Sequence, residues 1–77
     1  MNPQEQEIFY EIIEILKNNH SIYVDELIRM LRRASKELSS KVSEETILYY
    51  LMKLELLGEV IVTRATKKGI IVKYLKE

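Results

Sequence analysis

Apolar positions in the first eighteen residues fall as Ile8/Phe9, Ile12/Ile13 and Ile15/Leu16, with Glu7, Glu11 and Glu14 between them. A recurrence of three to four residues marks one helical face, and it predicts a helix over about 3 to 18. Asn2 can cap it, Pro3 suits the first helical position, and Glu5 can reach back as the acidic member of a capping box. Lys17 complements the C-terminal dipole, and Asn18-Asn19-His20 ends the element. Ser21-Ile22-Tyr23-Val24 is short, alternating and β-branched, which predicts one strand-like pairing. Asp25 and Glu26 then open a second helix, whose inward stripe is Leu27, Leu31, Ala34 and Leu38, flanked by Ile28 and Met30. Its basic residues Arg29, Arg32, Arg33 and Lys36 share the outward face. This helix is expected to end between 35 and 39, with Ser39-Ser40-Lys41-Val42 as the turn.

Ser43 is a good N-cap for a third helix over about 44 to 57, with Glu44 and Glu45 in the first turn where the helix dipole favours them. Ile47, Leu51, Leu54 and Leu57 form its core stripe, and Gly58 closes it. Tyr49, Met52 and Leu56 fall on an adjacent face and are expected to be at least partly exposed. Two β-rich runs follow, Glu59 to Arg64 and Ile70 to Leu75, joined by Ala65-Thr66-Lys67-Lys68-Gly69, where Gly69 can supply the positive φ of a hairpin loop. The predicted order is helix, short strand, helix, helix, strand, strand: a single α+β domain over 1–77. Tyr10, Tyr23 and Tyr74 are expected in the core or at its rim.

Composition narrows what such a domain can do. At 77 residues the core is small, and without cysteine neither disulfides nor thiolate metal ligation can supplement it. Net charge is zero, which argues against coating nucleic acid by charge alone. The charge is nevertheless segregated. Residues 1 to 16 carry Glu5, Glu7, Glu11 and Glu14 with no lysine or arginine, whereas residues 60 to 76 carry Arg64, Lys67, Lys68, Lys73 and Lys76 with no acid. Lys53, Glu55 and Glu59 interrupt the best apolar run before it reaches the ~18 residues needed to span a bilayer. MNPQEQE has no positive region followed by an apolar run, so no secretory leader is expected. A soluble, cytoplasmic protein without membrane partners is expected, and the abundance of Ile, Lys and Glu leans toward a thermophile.

Ser43-x-x-Thr46-Ile47-x-x-x-Leu51-x-x-Leu54-x-x-x-Gly58-x-Val60, together with the element order, resembles the winged helix-turn-helix superfamily of small archaeal, viral and bacterial transcription factors. The resemblance covers nearly the whole chain. It implies double-stranded DNA as partner, with the third helix in the major groove and the hairpin wing on the phosphate backbone. The implied groove-facing positions are Glu45, Thr46, Leu48, Tyr49, Met52 and Lys53, and the implied wing tip is Arg64, Thr66, Lys67 and Lys68. Of these, Thr46, Tyr49, Lys53 and the wing residues are expected to bind, with Arg32, Arg33 and Lys41 flanking the backbone. Base edges are read mostly by Arg, Lys, Asn and Gln. Lys53 alone qualifies on this helix, so specificity would rest partly on DNA shape.

The same fold also serves as a protein-binding module, and the Tyr49/Met52/Leu56 face offers a docking surface for that use. Helix one has an apolar stripe broader than one small core needs. It predicts a homodimer through Ile8, Phe9, Ile12 and Ile15. An enzyme is not expected: His20 is the only histidine, the carboxylates fall into caps and outward faces, and Thr66-Lys67-Lys68-Gly69 lacks the glycine spacing of a phosphate-binding loop. Neither a metal nor a cofactor is implied.

Overall fold

The computed structural model describes residues 3–34, 42–65, 67 and 69–75. The described elements are α1 (Pro3–Asn19), β1 (Ser21–Tyr23), α2 (Val24–Ala34), α3 (Glu44–Leu56), β2 (Val60–Ala65) and β3 (Gly69–Tyr74). They form a small α+β domain of three helices and a three-stranded antiparallel sheet in the order β1-β3-β2. The expected turn over 39–42 lies, up to Lys41, outside the described residues, as do Asn2, Lys36 and Leu38.

The end of α1 and the start and end of α3 have local causes. At the end of α1 the amides of Asn18 and Asn19 donate to the carbonyls of Glu14 and Ile15, at 3.0 and 2.7 Å. Both side chains reach back one turn and add a second donor to carbonyls of the last turns, the local bonding by which asparagine competes with helix continuation. His20 follows at φ 52, in the left-handed region. Its N–H donates to the Leu16 carbonyl at 2.9 Å, and its own carbonyl accepts from Tyr74 N at 2.7 Å, so the reversal delivers the chain directly into the β1–β3 pairing. A side chain with a Cβ pays for this backbone conformation, and glycine does not. Replacing His20 by glycine is therefore expected to stabilise the fold by about 0.5 to 1 kcal/mol, read as a rise in thermal midpoint. A fall instead would mean that the entropy glycine adds to the unfolded chain, or a contact of the imidazole, outweighs the relief of strain.

Val24, expected in the strand, begins α2 instead. The buried stripe of α2 is Val24, Leu27, Ile28 and Leu31. That stripe is rotated toward Ile28, so Ala34, expected to face inward, falls at its margin and is exposed. Ser43 caps α3 as predicted, its Oγ accepting from Thr46 N at 3.2 Å. Gly58 takes φ +76 just after the C-cap and Gly69 takes φ +104 at the end of the hairpin loop, conformations that a Cβ would strain.

Ile12, Leu16, Leu27, Leu31, Ile47, Leu51, Leu54, Val60 and Val72 are fully buried. The register sets Val72 between Ile22 and Val62, so one row of aliphatic side chains crosses all three strands. Phe9 meets Tyr50 edge-on, ring centroids 4.9 Å apart at 65°, and joins α1 to α3. Ile8, Phe9 and Ile12 are thus packed inside this chain's own core, with Ile15 half-buried against it. Ile8 and Ile12, two of the four residues expected at a dimer interface, have almost no surface left for a partner, because this chain's own core covers them, whereas Phe9 keeps an edge at the surface. The breadth of the α1 stripe reflects burial on several sides within one chain.

Candidate interface on the third helix and the hairpin

Ile47, Tyr50, Leu51 and Leu54 turn inward, which at 3.6 residues per turn leaves Glu45, Tyr49, Met52 and Leu56 as the outermost line of α3. Tyr49 is 49%, Met52 52% and Leu56 83% exposed. The hairpin lies along one flank of this line. Leu48, Met52 and Glu55 from α3 meet Val62, Arg64 and Ile70 from the strands in an open groove of about 300 Å³. Arg64 therefore stands on the same side of the molecule as the uncovered part of α3.

A hydrogen bond from the helix to the strand edge adds to the packing of Leu54 and Val60 in one core. Leu75 N donates to the Glu59 carbonyl at 2.9 Å, so alternate residues of β2, including Val62, direct their backbone groups away from β3. Glu55 Oε2 accepts the outward N–H of Val62 at 3.1 Å. One carboxylate thus ties α3 to the edge of the sheet and covers part of that edge. Glu55 read from its spacing alone is one more acid on a solvated helix face; its partner lies on a strand, after the helix has ended.

The residues expected to touch DNA divide into three groups. Tyr49, Arg33, Arg64 and Lys67 are exposed, with Lys67 at the hairpin turn. Three others are already engaged inside the chain. Thr46 is half-buried, its hydroxyl 2.9 Å from that of Ser43 as part of the helix cap. Arg32 donates from Nη2 to the Val42 carbonyl at 3.0 Å and braces the approach to α3. Lys53 sits with Nζ 4.5 Å from the centre of the Tyr49 ring, a cation–π contact. Its hydrogen bond to the Tyr49 hydroxyl raises its pKa above the usual lysine value. Lys41, Thr66 and Lys68 lie outside the described residues.

Beside this surface, burial pushes the Tyr50 hydroxyl above its usual pKa, and Glu5 adds to the shift. Arg29 of the α2 stripe pairs with Glu26 at 2.9 Å across an exposed turn. Among the described residues no group of three or more His, Asp or Glu is placed to hold a metal ion. No described helix is long and apolar enough to cross a membrane.

The chain matches no family model, no curated protein and no solved structure. What the surface can do must be read from its own chemistry. It offers an apolar ridge, a shallow groove and cations at the hairpin end, with Glu44, Glu45 and Glu55 on the helix.

Proposed function

We propose that the protein is a winged helix that binds double-stranded DNA, as a small transcriptional regulator does. The hairpin acts as the wing and α3 rests in the major groove. The observation that supports this most is the groove that Arg64 shares with Leu48 and Met52. It makes helix and hairpin one continuous surface, with Lys67 exposed at its end. Arg64 and Lys67 neutralise phosphates. Tyr49, Met52 and Leu48 make apolar contact with the groove floor, where a thymine methyl is a suitable neighbour. Because Lys53 and Thr46 are engaged within the chain, base discrimination is modest, and most of it comes from groove shape.

Binding of this kind is dominated by released counterions. Two or three phosphate contacts per copy give a log–log salt slope of roughly −2 to −3 per copy, or about −4 to −5 when two copies bind together. Titrating unrelated labelled duplexes at several salt concentrations should show this slope, with affinities that differ little between sequences. A flat salt response would overturn the reading.

A second reading has its own support in the exposure of Tyr49, Met52 and Leu56, beside Glu44 and Glu45. Acids repel phosphate, and an apolar ridge of this kind suits a protein neighbour. In that case the Met52→Ala variant loses partner binding, while substitutions at Arg64 and Lys67 leave it intact.

A further inference from the structure

An apolar hollow lies on a different side of α3, against α1. Phe9, Tyr10 and Ile13 from α1 meet Leu54 and Leu57 around a space of about 410 Å³, with Gln6 and Glu59 at its edge. A second hollow of about 300 Å³ opens on the other flank of Tyr10, toward Glu14 and Lys17. Tyr10 is the ridge between them and is 71% exposed; Leu57 is 70% exposed. Both were expected in the core or at its rim. Leu57 falls outside because α3 ends at Leu56, and Gly58 turns the chain away before that side chain can be covered.

Among the described residues the charge beside these hollows is mainly acidic, with Lys17, which lines the smaller one, as the exception. Glu7, Glu11 and Glu14 belong to the same helix, Glu59 lies at the edge of the larger hollow, and the helix's one cation, Lys17, is paired with Glu14 at 3.7 Å. A second copy laid antiparallel along α1, with its Tyr10 in the hollow, would bring Glu7 of each chain toward Glu14 of the other. Like charges that close oppose self-association. An occupant with lysines or arginines beside an apolar stripe meets attraction at the same positions, and a helix fits its ridge of side chains between such hollows.

We infer that the Tyr10 face of α1 docks a basic amphipathic helix of a protein partner. Its apolar residues enter the hollows on either side of Tyr10, and its cations meet Glu7 and Glu14. The surface is separate from the α3–hairpin groove, so one chain can hold DNA on one side and a protein on the other. This inference does not depend on the DNA reading.

The test uses the full chain and a synthetic, fluorescently labelled Leu/Lys amphipathic helix, with a Leu/Glu helix of equal apolar content as its counterpart. Anisotropy should show binding of the Leu/Lys helix and none of the Leu/Glu helix. Tyr10→Ala, Leu57→Ser and the pair Glu7→Lys with Glu14→Lys should each weaken binding roughly tenfold or more, and Met52→Ala should leave it unchanged. Tyr10 and Leu57 are exposed, so folding is not at risk, and circular dichroism verifies it. Equal binding of the two helices overturns the inference, as does binding that survives Tyr10→Ala or is lost with Met52→Ala. Sedimentation that shows a dimer converted to monomer by Tyr10→Ala would assign the face to a second copy instead.

Discussion

Replacing Arg64 and Lys67 together by alanine is expected to weaken duplex binding roughly ten- to a hundredfold at low salt and to reduce the log–log salt slope by about 2 per bound copy. Both effects share one origin. Each cation placed on a phosphate releases a condensed counterion, so removing it costs affinity most where salt is scarce and least where salt is plentiful. The two titration curves should therefore converge as salt rises. Arg64 and Lys67 are exposed, so the variant should fold as the parent does. Tyr49→Ala has a different signature. It removes apolar contact with the groove and the ring under Lys53, and should lower affinity with little change of slope. If the double variant binds duplex as tightly as the parent and with the same slope, the hairpin carries no phosphate contact, and the DNA reading fails on the residues that best support it.

The element order was legible because several kinds of signal agreed at each boundary. Ser43 is followed by two acids and an apolar period, and Ser43 Oγ does cap α3. Gly58 and Gly69 stand where a reversal is needed, and both adopt positive φ. Periodicity was less informative about exposure. It gives the direction of a side chain from the helix axis, but not whether another element reaches that far. Leu57 and Ala34 keep a roughly inward direction yet lie at the end or the margin of their stripes, where no other described element covers them. Ile8 and Ile12 show the converse: they looked surplus to a small core, and the sheet and two helices use them fully. The candidate surface was legible in its exposed cations and its apolar ridge. It was not legible in the engagements that remove Thr46, Arg32 and Lys53 from easy contact, since each depends on a partner whose position only the fold supplies.

Leu51→Ala and Met52→Ala should differ sharply although the two residues are neighbours. Leu51 is fully buried on the inner stripe of α3, and truncating it removes apolar contact and leaves a cavity that the small core can only partly close. A cost of about 2 to 5 kcal/mol is expected. In a domain of this size that corresponds to a fall in thermal midpoint of roughly ten degrees or more, enough to leave a substantial unfolded fraction at moderate temperature. Met52, 52% exposed, gives up little on truncation, and its loss should stay within about 0.5 kcal/mol. The comparison also bears on the second reading of the α3 surface. If Met52→Ala costs as much as Leu51→Ala in the isolated protein, with the loss growing at higher protein concentration, the ridge is already covered in solution by another copy of the chain and cannot be the free face that approaches DNA. A small, concentration-independent cost leaves the ridge open to an incoming duplex or partner, and the Arg64 and Lys67 variant then distinguishes between them.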